Sequence, residues 1–184
     1  MASSRFSCYA AVCGLVLLAP VLVLFVQATD FKSFQQCSGA RYNNLPAKLY
    51  LKGCEGKERC PLYRGDNASM EIKFVSPSDT ANVYRYMYGV FGGRSGRGQG
   101  TRVPYGREAN VCSATRSASD GEICSRGEGL KQGVEYIQDG TFKVMSYFPK
   151  VSVDVEIELY SKPSKSVKVP LGCVRVPVQI MDRP

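Results

Sequence analysis

The stretch Val151–Leu159 (VSVDVEIEL) alternates without a break between apolar and polar residues. Its odd-numbered positions are Val, Ile or Leu, and its even-numbered positions are Ser, Asp or Glu. Successive side chains of a strand point to opposite faces, so this pattern predicts a strand with one buried face. We place Val155 inward at mid-strand and Glu156 outward, toward solvent. Such alternation is typical of antiparallel sheets that cover a core on one side.

The same period of two is found elsewhere along the chain. It predicts further strands over Met70–Phe74, Asn82–Phe91, Phe142–Phe148 and Val174–Ile180. Pro177 has no amide hydrogen for a strand ladder, so the last of these strands is expected at a sheet edge or with a bulge.

Turn signals rich in Gly, Pro, Ser and Asp separate these segments. They predict turns at Gly65–Asn67, Ser76–Asp79, Gln138–Gly140 and Lys162–Ser164. No window shows a sustained helical period, and there is no internal repeat. Many short strands between turns predict one all-β domain, either a sandwich or a barrel.

The N-terminal segment has the features of a secretory signal peptide. Arg5 precedes the apolar run Cys8–Val26, and Ala28 ends a small-residue cleavage motif. We predict a signal peptide over 1–28 and a single domain over 29–184. The alternative is a signal anchor, because the run is almost long enough to span a bilayer. Pro20 and the lack of a following basic cluster favour cleavage.

Composition excludes several functional classes. The 184 residues include no histidine, so Ser-His-Asp and Cys-His catalysis and imidazole metal sites are ruled out. No carboxylate or nucleophile has a base partner in the pattern, so we expect no enzyme, no cofactor and no metal. The net charge of +8 favours contact with acidic surfaces, but it is too diffuse to indicate nucleic acid.

The cysteines indicate an oxidising compartment. After removal of Cys8 and Cys13 with the signal, six remain: Cys37, Cys54, Cys60, Cys112, Cys124 and Cys173. An even number in a secreted chain predicts three disulfides, with 15 possible pairings. The absence of a CxxC pair argues against zinc and against a redox motif.

Two further segments allow more than one interpretation. Gly92–Gly100 (GGRSGRGQG) could cradle a phosphate or bind nucleic acid, but no P-loop lysine follows and the segment is short. We interpret it as an inter-strand loop. Asn67-Ala68-Ser69 is a glycosylation sequon, with Asn67 as the acceptor if the turn is exposed.

Three stretches, in order, resemble the MD-2-related lipid-recognition (ML) family, which includes Niemann-Pick type C2 sterol carriers and group 2 mite allergens. The first is the cysteine loop Gly53–Gly65. The second is the pair Cys112 and Cys124, followed by Gly140-Thr141-Phe142 and Phe148-Pro149. The third is the terminal strand Gly172–Ile180. The resemblance covers residues 33–181.

The resemblance implies an immunoglobulin-like β-sandwich of two antiparallel sheets with an apolar cavity of several hundred Å3 between them. It implies the disulfides Cys37–Cys173, Cys54–Cys60 and Cys112–Cys124. The residues expected to line the cavity are Phe74, Val90, Val103, Tyr105, Phe148, Pro149, Val151, Val155 and Val176. For any one of them, ordinary core packing is the alternative.

The function implied by the resemblance is that of a secreted, monomeric lipid carrier. It would hold a sterol or fatty-acid-like ligand and deliver it at a membrane surface or a membrane receptor, outside the cell or in the lysosomal lumen. One alternative is a recognition protein that binds microbial glycolipid in innate immunity. Another is a disulfide-stapled interaction domain without ligand. The glycine- and arginine-rich stretch Gly92–Gly100 and Lys150 depart from the sterol carriers, which have apolar residues at these places.

Overall fold

The computed structural model describes residues 31–32, 34, 37, 40–92 and 100–184. The predicted signal peptide and most of the glycine-arginine loop lie outside these residues. In the described part, two single turns of 3-10 helix (Ala40–Tyr42 and Cys112–Ala114) accompany nine strands. The strands are β1 Ala47–Leu51, β2 Cys60–Tyr63, β3 Asn67–Val75, β4 Tyr84–Phe91, β5 Thr101–Asn110, β6 Thr115–Ser117, β7 Glu135–Lys143, β8 Ser152–Ser164 and β9 Val167–Met181.

These strands form two packed sheets, which confirms the predicted sandwich. One sheet has the order β1-β3-β7-β6 and the other the order β2-β9-β8-β4-β5. All pairings are antiparallel except one: β2 runs parallel to β9, with Cys60 opposite Val178. This short parallel pairing is a local departure from the predicted antiparallel sheets. β2 is a short excursion between β1 and β3 of the first sheet, and it reaches only the end of β9.

The alternation that predicted β8 and β9 is confirmed. Ile157 and Leu159 are buried in the core, as are the β9 residues Val174, Val176 and Val178. The edge expected from Pro177 is also found, because β2 pairs with β9 only from Val178 onward. Pro177 therefore lies just before the first β2–β9 pair, at a position where β2 does not need a backbone amide hydrogen from β9.

The outer face of β8 corrects the sequence prediction. Glu156 and Glu158 do point away from the core, but they are only 3% and 5% exposed. Arg102 of β5 bonds both carboxylates, at 2.5 and 2.9 Å, and Arg41 bonds Glu158 at 2.9 Å. The period of two correctly predicted which side chains of β8 point away from the core. It did not show that basic side chains cover this face.

Three predicted boundaries are wrong. Gln138–Gly140 is not a turn but the middle of β7, and the strand predicted over Phe142–Phe148 ends at Lys143. Lys162–Ser164 belongs to β8, and its hairpin turn follows it. Gly140 looked like a turn residue, yet glycine inside a strand also marks a close approach by another chain segment. β5 has no clear alternation and was not predicted.

Three disulfides staple the sandwich, in the pairing implied by the family resemblance. The Cα atoms are 5.7 Å apart in Cys37–Cys173, 4.7 Å in Cys54–Cys60 and 5.0 Å in Cys112–Cys124. Cys37–Cys173 spans 136 residues, so in the loop-entropy model it stabilises the fold by about 5 kcal/mol.

Among the described residues, no helix is long and apolar enough to cross a membrane.

Candidate functional site

An apolar cavity of about 170 Å3 lies between the two sheets at one end of the sandwich. Strands β4, β5 and β8 and the loop between β7 and β8 contribute most of its wall. The lining residues are Leu62, Met87, Tyr88, Gly89, Phe91, Val103, Pro104, Tyr105, Phe142, Val144, Phe148, Pro149, Val151, Val153, Val155 and Ile180.

The cavity lies where two facing inward positions of β4 and β8 carry small residues. Gly89 of β4 lies directly opposite Val155 of β8. Both residues are too small to extend far toward the other sheet. A Cβ built on Gly89 would lie 3.1 Å from the Phe91 ring. Glycine therefore leaves space that the aromatic ring partly occupies.

The structure brings most of the predicted site residues together. Six of the nine line the cavity: Val103, Tyr105, Phe148, Pro149, Val151 and Val155. Whether these six contact a ligand stays a prediction. The cavity is smaller than the several hundred Å3 that the family resemblance implied.

The other three predicted residues do not line the cavity. Phe74 and Val176 are each 1% exposed in the closed core, where Phe74 packs 6.1 Å from the Tyr136 ring. Val90 is buried but has the opposite parity to Gly89 and Phe91, so it belongs to the outer face of its sheet. Its placement was wrong because the tyrosine-rich strand left the inward face ambiguous.

Several lining residues were missed at the sequence level. Val153 has the parity of Val151 and Val155, and Ile180 has that of Val176, so the alternation could have identified both. Met87, Gly89 and Phe91 required the parity of β4, which the sequence did not settle.

An aromatic cluster forms the mouth of the cavity. The Tyr105 ring lies 6.2 Å from Phe142 and 5.8 Å from Phe148, and Phe148 lies 5.4 Å from Tyr147. The Tyr105 hydroxyl donates to the carbonyl oxygen of Lys143. Burial raises the pKa of Tyr105 above its ordinary value, so the phenol stays neutral. The bond to Lys143 satisfies the hydroxyl without offering it to the cavity.

Apolar side chains continue outside the cavity onto the protein surface. Phe91 is 39% exposed, Val103 47% and Tyr147 78%. Exposed apolar patches of this kind mark interaction or ligand-entry sites more often than scattered single residues do. Lys150 stands beside this rim and pairs with Asp182 at 2.5 Å.

The cavity is suited to binding an apolar group by removing it from water. Its lining is carbon apart from main-chain atoms, two tyrosine hydroxyls and the sulfur of Met87. No lining residue carries a carboxylate, amine or thiol that could act as acid, base or nucleophile. Such a surface favours an apolar group over water.

One cluster elsewhere has the residue types of a metal site. Cys37, Glu156 and Cys173 bring their ligand atoms within 4.8 Å of one another. Both sulfurs are bonded to each other in the Cys37–Cys173 disulfide, so neither is a thiolate ligand. We therefore assign no metal to this cluster.

Asn67 is exposed at the first position of β3, directly after the turn. A glycan there would extend into solvent, and its attachment stays a prediction.

Fold and cavity together define a disulfide-stapled β-sandwich with an internal apolar cavity that opens at one end. The ML-domain family model matches residues 32–180. The chain therefore belongs to the ML-domain family of lipid-recognition proteins, as the sequence resemblance implied. A comparison with curated protein sequences finds no match.

Solved structures with the same fold include a Niemann-Pick type C2 protein from the Japanese carpenter ant. That protein is 22% identical, with a TM-score of 0.57 over 80% of this chain and 98% of its own. The C-terminal domain of wzt overlaps with a TM-score of 0.48 and 12% identity over 75% of each chain. Chicken MD-1 complexed with lipid IVa overlaps with a TM-score of 0.38 and 13% identity, covering 80% of this chain and 97% of its own.

Proposed function

We propose that the protein is a secreted, non-enzymatic lipid carrier that holds the apolar part of a sterol or fatty-acid-like ligand in the cavity between its sheets. The observation that carries this proposal is the carbon-lined cavity with its aromatic mouth, in a chain of the ML family. Burying an apolar ligand surface there gains about 25 cal/mol per Å2 removed from water.

The size of the cavity favours an acyl chain over a whole sterol. A cavity of about 150 Å3 holds a single benzene ring, and drug-sized ligands occupy roughly 300–1,000 Å3. At about 170 Å3, the described cavity matches the end of an acyl chain. A whole sterol would require the cavity to enlarge.

Delivery would occur at the mouth. Exposed Phe91, Val103 and Tyr147 can enter the interface of a membrane or contact a receptor. The net charge of +8, or +7 after removal of the predicted signal peptide with Arg5, favours approach to anionic lipid. A ligand can then pass between the cavity and the bilayer without crossing water.

Secretion is supported by the cysteines. All six cysteines outside the predicted signal peptide form disulfides, which persist in the secretory pathway and outside the cell rather than in the cytosol. Either an extracellular or a lysosomal destination fits this chemistry.

The test is to express the protein through a secretory pathway, measure its native mass and identify co-purifying lipids. We expect a bound lipid, and after its removal we expect a fluorescent fatty acid to bind and to be displaced by unlabelled fatty acid. Stronger binding of a fluorescent sterol would identify a sterol carrier. Selective binding of a phosphorylated microbial glycolipid together with an immune receptor would favour the recognition protein. No lipid and no probe binding would leave the ligand-free interaction domain and overturn the proposal.

A further inference from the structure

Arg85 is a charged residue at an inward-facing position. It lies two residues before Met87 in β4 and opposite Leu159 of β8, both of which are buried in the core. Its guanidinium extends to the other sheet, where Nη1 donates to the Gln138 side-chain oxygen at 3.4 Å.

Gly140 makes room for this side chain. A Cβ built on Gly140 would collide with Nη1 of Arg85. The glycine in the middle of β7, which looked like a turn signal in the sequence, is therefore the position over which the guanidinium lies.

The charge of Arg85 has no acidic partner in the part of the chain that the structure describes. By contrast, Arg102, Arg116 and Arg175 each pair with a carboxylate. Burial lowers the pKa of Arg85 from its ordinary value, as expected for a cation that lacks a compensating anion. It remains a cation at neutral pH, and a half-buried cation of this kind favours an anion beside it.

Arg85 lines a second cleft of about 600 Å3, whose wall contains both polar and apolar side chains. This cleft lies at the edge of β7, beyond the point where β6 stops pairing with it, and it shares no lining residue with the apolar cavity. Every fully buried side-chain nitrogen or oxygen among the described residues has a partner. The Arg85 nitrogens without a hydrogen bond are therefore accessible to solvent, and Arg85 is one of the residues that line the cleft.

Other donors face the same space. The cleft is lined by Lys52, Asn110, Ser113 and Thr141, whose side chains carry an ammonium, an amide or a hydroxyl. The Asn110 side-chain oxygen already accepts from the amide of Cys112, at 3.0 Å, which leaves its NH2 group for another acceptor.

Two carboxylates also stand at the cleft, Glu71 and Asp139. Both face Arg116, which lies 3.8 Å from Glu71 and in direct contact with Asp139. Arg116 therefore offsets one of these two negative charges, and the two cations Arg85 and Lys52 outweigh the one that remains.

We propose that this cleft is an anion-binding site in which Arg85 holds the phosphate or carboxylate group of a small polar ligand. The planar guanidinium fork can donate two parallel bonds to such a group, and the amide and hydroxyl donors complete its coordination. The site is independent of the apolar cavity, so it does not depend on the proposed carrier function.

The test is calorimetric titration of the purified protein with glycerol 3-phosphate and with acetate at low salt. In parallel, flotation with neutral phosphatidylcholine vesicles, with and without phosphatidic acid, asks whether a lipid headgroup is the source of the anion. We expect saturable binding of at least one anionic probe. Arg85→Gln should weaken it about 10-fold to 100-fold, because a charge-assisted pair is lost.

Two further variants make the test decisive. Arg107→Gln removes the same charge from an exposed position of β5 outside the cleft and should leave binding unchanged. Gly140→Ala should weaken binding by displacing the guanidinium, and it decides the question if Arg85→Gln does not fold. Equal losses in Arg85→Gln and Arg107→Gln would show that only net charge matters. That result, or no binding of any probe by the wild type, would overturn the proposal.

Discussion

The two ends of the sandwich interior differ in how completely they are filled. At the closed end, Phe74, Leu130 and Leu159 are at most 1% exposed and belong to the hydrophobic core. At the open end, Gly89, Val153 and Val155 face a cavity. β8 supplies both ends, with Val153 and Val155 toward the cavity and Ile157 and Leu159 in the closed core.

This difference shows that the alternation of apolar and polar residues along a strand does not determine how completely its buried face is packed. The period of two is the same along the whole of β8, so both halves have a buried face. The volume of the inward side chains decides whether the sheets meet or leave space. The closed end should therefore carry stability, and the open end should carry binding.

The largest expected effect is on stability at the closed end. Phe74→Ala should lower the free energy of unfolding by about 3–5 kcal/mol, because a fully buried ring leaves a cavity. Phe148→Ala, at the mouth, should cost only about 1–2 kcal/mol, because its ring is half-buried. It should nevertheless weaken fatty-acid binding. Chemical denaturation measures the stability of both variants, and probe titration measures their fatty-acid binding. Similar stability losses in the two variants would contradict the proposed difference between the two ends.

A second effect concerns the charges behind the cavity wall. Glu158→Gln should destabilise the protein by about 1–3 kcal/mol at neutral pH, because Glu158 accepts from both Arg41 and Arg102. Glu156→Gln should leave stability unchanged or raise it. Among the described residues, the one ion-pair partner of Glu156 is Arg102, which would keep Glu158 as its partner in the variant. Chemical denaturation at neutral pH compares the two variants, and a larger loss in Glu156→Gln would contradict this ranking.

The pH dependence of Glu156 follows from its burial, which raises the pKa above its ordinary value. A folded pKa above the unfolded one means that ionisation disfavours the folded state. The Glu156 contribution to stability therefore increases as pH falls from above the folded pKa to the unfolded value. Denaturation midpoints measured over this window should show that gain in the wild type and a smaller gain in Glu156→Gln. Equal pH profiles would contradict the assignment.

The smallest effect is expected at Glu108, near the hairpin end of β8 and β9. Burial alone would raise its pKa, but bonds to Lys162, Tyr160 and Lys168 lower the pKa of Glu108 to about 2. Its stabilising contribution is present above the ordinary value of 4.5 and is lost as pH falls toward about 2. Because solvent reaches the Glu108 carboxylate, we expect Glu108→Gln to lower the free energy of unfolding by about 1 kcal/mol.

The control Glu128→Gln, in an exposed pair with Lys131, should change stability little. Acid unfolding curves would separate the two variants.

The sequence predicted the sandwich because β3, β8 and β9 each have one apolar face. The resemblance to the family rested on the cysteine spacing and the terminal strand rather than on periodicity, and the pairing of the three disulfides was implied by that resemblance. Six cavity residues were predicted through the family resemblance, and they lie at the mouth or along β5 and β8.

What the sequence could not show depends on side chains from distant strands. Nothing near Glu156 in sequence indicates that Arg102 covers it, and nothing near Gly140 indicates the Arg85 guanidinium. Val90 was placed in the cavity because β4 carries large residues on both faces, so the sequence does not show which of its side chains point inward. Phe74 and Val176 point inward as predicted, but the sequence does not reveal which end of the interior is filled.

The most direct test of the carrier account is Val155→Phe, with Val167→Phe as the matched control at an exposed position of β9. The larger side chain at position 155 should occupy ligand space, weaken fatty-acid or sterol binding and leave the unfolding midpoint nearly unchanged. The control should alter neither property. Thermal unfolding and displacement of the fluorescent probe measure both. Destabilisation of Val155→Phe by about 1–3 kcal/mol, as overpacking of a filled core produces, in a protein whose wild type binds no lipid, would contradict the account.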